Sequence, residues 1–343
     1  PSRPSPAPAM SAPTRFTPEM IDSYVESGFW IRETTLDFLT RHADNRPDDI
    51  AIVDQHHRLS WAEARATVDQ FSDDLLGLDL DRDTPVVMQL PNSVEDCLLR
   101  LALKKAGLLG ANMPVVWRRG ELEAVIEALR PGALVVPDRF RDVDMLAMGR
   151  QLREKHPDLQ LVVAGTERQD DDFVSISVGS VSRSRSAPHG VTDDRTFDPF
   201  EVSLLVITSG STGAAKIVER PEQQDILWGK GVAERMALTT DDCIGGFVPF
   251  SGGPGYFTWS AWIVSGARLI LSDGFAPETV IPLIERERIS VVMTAPAVIA
   301  RLVESPLIND HDVQSVRVVR TGSANLPRAV AEKTEKLMGC HVL

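Results

Sequence analysis

Short apolar runs alternate with amphipathic stretches along nearly the whole chain, and this alternation restricts the fold more than any other feature. "TPVVMQL", "ALVVPD", "LQLVVAG", "VSLLVITS", "CIGGFVPF", "ARLILSD", "ISVVMTA" and "VRVVRTG" carry too few polar residues to present a face to water. Strands buried on both faces belong to largely parallel sheets covered by helices. The intervening segments have helical periodicity. "LSWAEARATVDQFSDDLLGL" opens with a capping box, Ser60 with Glu63, and sets Ala64, Val68, Phe71 and Leu75 on one stripe. "VEDCLLRLALKKAG" stops at Gly107, and "GELEAVIEALRPG" ends at Pro131-Gly132. "PETVIPLIERER" and "AVIARLVESP" fit as helices between later strands. The expected class is α/β, and no internal repeat is visible.

The periodicity lapses over residues 166–199, where "SVSRSRSAPHG" reads as an exposed, mobile linker. Residues 1–15, rich in Pro and Ser, read as a disordered leader without the apolar stretch of a signal peptide. One lobed domain is therefore expected from residue 16 to residue 343. A formal charge of -13 disfavours nucleic-acid and anionic-membrane partners, which would repel the chain. The cysteines Cys97, Cys243 and Cys340 are far apart with no paired spacing, so no zinc site is evident and a reducing, cytoplasmic setting fits.

The segment with chemistry in it is "LLVITSGSTGAAKIVER", Leu204 to Arg220. A buried strand leads into Thr208-Ser209-Gly210-Ser211-Thr212-Gly213, and Lys216 follows. Glycines let backbone N–H groups approach an anion, hydroxyls add donors, and a lysine supplies a point charge to a phosphate. Ala214-Ala215 separate Gly213 from Lys216, so this is not a Walker A loop. A plain surface turn is the competing reading.

"TSGSTGAAK" resembles the phosphate-binding signature of the adenylate-forming superfamily, which includes acyl- and aryl-CoA ligases, peptide-synthetase adenylation domains and luciferases. Thr208 to Lys216 match the pattern throughout. "RPDDIAIVDQHHRLSWAEA", "VVMQLPNS", "LALKKAGLLGANMPV", "GFVPF" and "VRVVRTGSANLPRAVAEKTEKLMGC" are similar to successive parts of the large amino-terminal domain. "FTPEMIDSYVESGFW" is similar to the stand-alone dihydroxybenzoate and salicylate AMP ligases. The resemblance implies two mixed β-sheets with flanking helices and a small barrel-like lobe. The mobile carboxy-terminal lobe, and a Mg²⁺-binding Glu expected just after Leu343, would lie outside the chain.

The resemblance implies ATP and Mg²⁺ as cofactors, a small carboxylic acid as substrate, and a carrier protein or CoA as acceptor. Thr208, Ser209, Gly210, Ser211, Thr212, Gly213 and Lys216 would hold the phosphates, with Thr212 and Lys216 in catalytic roles. Gly322, Ser323 and Ala324 would flank adenine and acid, and Phe250, Ser251, Gly252, Gly253 and Tyr256 would shape the acid site. Aryl-acid relatives have Pro-x-x-His-Asn where this chain has Pro249-Phe250-Ser251-Gly252-Gly253, so a reshaped acid site is expected. "YFTWSAWIV" reads either as core or as a wall of that site.

His56-His57 in the polar turn of "IVDQHHRLSW" and the run Asp170-Asp171-Asp172 read as solvated. No metal ligand set is assigned. Three functions stay open: acid adenylation, an ATP-dependent diazotisation of an aminoaryl acid with nitrite, and nucleotide or acid binding without turnover.

Overall fold

A computed structural model describes residues 16–168, 170–179, 197–209 and 215–343. In chain order its strands are β1 (Ile50–Val53), β2 (Arg58–Ser60), β3 (Pro85–Met88), β4 (Leu109–Asn112), β5 (Ala133–Pro137), β6 (Arg139–Phe140), β7 (Val143–Asp144) and β8 (Gln160–Ala164). There follow β9 (Val174–Ile176), β10 (Val202–Ser209), β11 (Ala215–Pro221), β12 (Cys243–Phe247), β13 (Arg268–Leu271), β14 (Val291–Thr294), β15 (Val318–Thr321) and β16 (His341–Val342). The helices are α1 (Pro18–Glu26), α2 (Thr35–Asn45), α3 (Trp61–Leu76), α4 (Val94–Lys105), α5 (Arg119–Leu129) and α6 (Met145–Lys155). α7 (Glu222–Arg235), α8 (Gly253–Ser265), α9 (Pro277–Glu287), α10 (Pro296–Glu304) and α11 (Arg328–Met338) complete the set.

The chain divides into two compact units, each with its own sheet. The first comprises the chain through Leu36 with Ala66–Leu90 and Leu98–Gln224; the second comprises Asp37–Arg65, Pro91–Cys97 and Asp225–Leu343. The first holds a seven-stranded sheet in the order β11-β10-β4-β3-β5-β8-β9. All its neighbours are parallel except the β10–β11 pair. The second holds a seven-stranded sheet in the order β16-β15-β14-β12-β13-β1-β2, parallel except for β1–β2. Both sheets are mixed and flanked by helices, as the alternation required. Among the described residues the strands outside them, β6 and β7, form a two-stranded ribbon.

Local signals behave as their chemistry demands. Ser60 N donates to Glu63 Oε2 and Glu63 N donates to Ser60 Oγ, the reciprocal pair that starts α3. In the first unit Val87, Leu134, Val136 and Val163 pack with α5 and α6 residues in one apolar core. In the second, Val53, Phe247, Ile270, Val292 and Val319 pack with residues of α9, α10 and α11. Trp259 and Trp262 of α8 are core residues: each is buried, and their indole N–H groups donate to Cys97 O and Ala51 O. Trp262 also stacks on Trp61.

The polar stretch from residue 166 is less linker-like than its composition. Val174–Ile176 pairs in parallel with β8. Asp170, half-buried, pairs with Arg150 of α6; Asp172 pairs with Arg153 and is exposed, like Asp171, as the solvated reading has it. An edge strand needs few buried residues, here Phe173 and Ile176, so it leaves little trace in the hydropathy. Residues 180–196 and the leader lie outside the described residues.

A pH response is built into the second unit. Burial alone would raise the Asp242 carboxyl, but hydrogen bonds from Arg317, Ser290 and the Thr239 N–H outweigh it and hold the carboxyl below the usual range. A depressed carboxylate adds stability that is present above its unfolded pKa, about 3.9, and is lost as pH falls through the folded value. Urea midpoints of native protein and Arg317→Met should therefore converge as pH drops below about 4. A gap that stays constant from neutral to acid pH would rule this out.

Candidate active site

In the first unit, the glycine-rich segment lies in the sequence between two paired strands. β10 and β11 are antiparallel, with Thr208 opposite Lys216 and Ser209 opposite Ala215. Gly210, Ser211, Thr212 and Gly213 lie outside the described residues, but the register fixes the two ends of the loop that carries them. Lys216 is exposed on β11, and no ion pair or hydrogen bond engages its ammonium among the described residues.

The base of this hairpin is pinned by groups that sequence reading did not single out. Glu222, fully buried just after β11, accepts from Thr35 N at 2.7 Å and Thr35 Oγ1 at 2.6 Å. Its other oxygen accepts from Lys104 Nζ at 2.6 Å. Gln223 bonds Ile31 N through Oε1 and Glu33 O through Nε2. The one available sequence signal was a lysine within the apolar stretch "LLRLALKKAG".

In the second unit, the residues expected to shape the acid site follow strands that end at the carboxyl edge of the sheet. Phe247 pairs with Thr294, and Thr294 with Thr321, so β12 and β15 end at the same level. They are two strand spacings, about 10 Å, apart. The turn after β12 carries Ser251 and Gly252, both half-buried, and exposed Gly253; the turn after β15 carries half-buried Gly322 and exposed Ser323 and Ala324. Ser323 adopts φ +71°, a left-handed conformation that costs a non-glycine residue about 1–2 kcal/mol. Strain of this kind is held at a turn whose backbone shape matters.

Phe250 and Tyr256 are buried, 1% and 2% exposed. They form the packed floor of the turn. Asn92 holds that turn in place: its Oδ1 accepts from Phe250 N at 3.0 Å and its Nδ2 donates to Val248 O at 2.7 Å. Two backbone bonds from one buried amide fix the chain between β12 and α8. In the sequence Asn92 stands only within "VVMQLPNS", with nothing to mark this role.

Asp54, His57 and Glu95 form a third cluster, with ligand-type atoms within 4.8 Å of one another. His56 is exposed, but His57 is half-buried, its Nδ1 3.4 Å from Asp54 and 3.7 Å from Glu95. The solvated reading therefore holds for His56 alone. Asp54 is already committed, accepting from His56 N, His57 N and Val94 N, which ties the β1–β2 hairpin to the start of α4. Burial raises the Glu95 carboxyl, opposed by its own N–H and His57.

A family model described as AMP-binding enzyme matches residues 39–343. The chain belongs to the AMP-binding enzyme family. It is 27% identical to a 2-hydroxy-7-methoxy-5-methyl-1-naphthoate–CoA ligase of Streptomyces carzinostaticus, over 97% of this chain and 62% of that protein. It is 25% identical to a 2,3-dihydroxybenzoate-AMP ligase of Bacillus subtilis, over 95% of this chain and 59% of the relative. The apo structure of Mycobacterium smegmatis MbtA superposes with a TM-score of 0.81 at 25% identity, covering 96% of this chain and 60% of that one. The chain thus spans about 60% of the length of these AMP-binding relatives. Among the described residues, no helix is long and apolar enough to cross a membrane.

Proposed function

We propose that the enzyme carrying this chain uses ATP to activate an aryl or small acyl carboxylic acid. A carboxylate oxygen attacks the α-phosphorus, the bond to the bridging β-phosphate oxygen breaks, and pyrophosphate leaves with its electron pair. The acyl-AMP then meets a carrier-protein or CoA thiol, which forms a thioester, expels AMP and gives up its proton. The substrate is its own nucleophile, so the protein contributes alignment and charge neutralisation.

The observation that carries this reading is the β10–β11 register. It pairs Thr208 with Lys216 and Ser209 with Ala215, so both ends of the hydroxyl- and glycine-rich segment are held together, and among the described residues the Lys216 ammonium has no partner. Backbone N–H groups and hydroxyls of Thr208, Ser209, Gly210, Ser211, Thr212 and Gly213 would cradle the β- and γ-phosphates, with Lys216 as point charge. Gly322, Ser323 and Ala324 would flank the adenine and the acid. Ser251, Gly252 and Gly253 would border the acid above Phe250 and Tyr256. The names of the relatives, a naphthoate and a dihydroxybenzoate ligase, support the aryl-acid branch over nitrite-dependent diazotisation.

Mg²⁺ would arrive on the nucleotide phosphates and screen their charge. The Asp54–His57–Glu95 cluster does not fit that ion, because the Asp54 oxygens are taken by backbone N–H groups.

In full-length protein, Lys216→Ala and Thr212→Val should each raise the KM for ATP roughly tenfold or more, the worth of a charge-assisted hydrogen bond. Steady-state kinetics with saturating acid measures this. Unchanged ATP kinetics in both variants would return the loop to a plain surface turn.

A further inference from the structure

The strand that leads into the Gly322–Ser323 turn carries a guanidinium that no described residue neutralises. Val319 faces the apolar core packed with α9, α10 and α11. Arg320, the next residue along the strand, points to the opposite face. There its guanidinium carbon lies 5.1 Å from the ring centroid of Phe257 on α8. Phe257 in turn packs on Trp228 of α7, ring centroids 4.4 Å apart and tilted by 42°. All three side chains are half-buried.

Among the described residues Arg320 makes no hydrogen bond and no ion pair. Burial alone acts on it, holding its pKa below the usual arginine value. It stays charged at neutral pH all the same. Neighbouring Arg317 shows the contrast: its guanidinium donates to both Asp242 oxygens and to Met236 O and Ala237 O. A partly desolvated guanidinium with one face on a ring and its N–H edge free is poised for a planar, doubly accepting anion.

We propose that Arg320 anchors a second anionic group on the acid substrate, so that the favoured class is an aromatic dicarboxylate or an aryl acid with an equivalent oxyanion. The proposal rests on the acid-activation reading above. Distance supports it: Arg320 lies two residues down the strand from Gly322, about 7 Å at 3.3–3.4 Å per residue. That is close to the span of a benzene ring with a substituent. A ring whose reactive carboxylate sits at the Gly322–Ser323 turn can direct a meta or para group toward the guanidinium, with Phe257 and Trp228 alongside. The Gly252-Gly253 turn offers no side chain for a ring substituent, so the polar contact moves to the strand.

The test has two arms on full-length protein. Pyrophosphate exchange is measured with isophthalate, terephthalate, their monomethyl esters and benzoate, and isophthalate binding is followed by calorimetry without ATP. The native enzyme should favour each diacid over its monoester roughly tenfold to a hundredfold, the range for a charge-assisted contact. Arg320→Gln should bring that ratio close to one and weaken calorimetric binding, and Arg320→Lys should keep part of both. Equal use of diacid and monoester by native protein, or an unaltered ratio in a folded Arg320→Gln, would overturn the proposal. If Arg320→Gln fails to fold, the native diacid-to-monoester ratio decides alone. Arg320-dependent diacid binding with no exchange on any acid would sustain this anchor and refute acid adenylation.

Discussion

Glu222→Ala should destabilise the first unit by about 1.5–3 kcal/mol, the worth of the charge-assisted hydrogen bond that the Lys104 ammonium loses. Glu222 is fully buried and Lys104 is 3% exposed, so water cannot take over from the missing carboxylate. Thr35 loses two hydrogen bonds at the same time, one from its backbone N–H and one from its hydroxyl. Replacing both charges, as in Lys104→Met with Glu222→Leu, should be milder than the single change, because the buried ammonium is removed together with its carboxylate. Urea unfolding of the single, double and native proteins measures this. A single variant within about 1 kcal/mol of native would mean the pair is solvated and does not hold the hairpin. Because Glu222 directly follows β11, the single variant should also raise the KM for ATP.

A comparable loss is expected from Gly255→Ala, at the first turn of α8. An added Cβ would stand 2.3 Å from Phe250 Cα and 2.4 Å from Pro249 O, both backbone atoms that cannot rotate away. Overpacking of this kind costs about 1–3 kcal/mol and more where only backbone can yield. The yielding segment is the Pro249–Phe250 stretch that Asn92 holds, so acid use should suffer more than ATP binding. Gly252→Ala is the control for stability, since its Cβ would meet nothing closer than Pro249 O at 3.8 Å. Equal melting temperatures for the two variants would contradict this account of the turn.

Much of the fold was legible because parallel strands buried on both faces write themselves as apolar runs. The Ser60–Glu63 box and the stop at Gly107 were equally plain, since both are local backbone chemistry. β9 was hidden because an edge strand needs few apolar residues. The glycine- and hydroxyl-rich segment stood out by its composition, but the pairing of Thr208 with Lys216 did not, because register depends on the partner strand. Asn92 and Glu222 stayed invisible for a different reason: their partners lie 158 and 118 residues away along the chain. Phe250 and Tyr256, expected at the acid site, are buried, a degree of enclosure that the sequence alone did not reveal.

Adenylation by this hairpin is tested most directly by acid-dependent exchange of labelled pyrophosphate into ATP, run on full-length protein with aryl and small acyl acids. The account predicts exchange that requires an acid and falls at least roughly tenfold in Lys216→Ala at subsaturating ATP. Native protein that binds ATP but exchanges pyrophosphate with no acid on the panel, or exchange indifferent to Lys216, would contradict it.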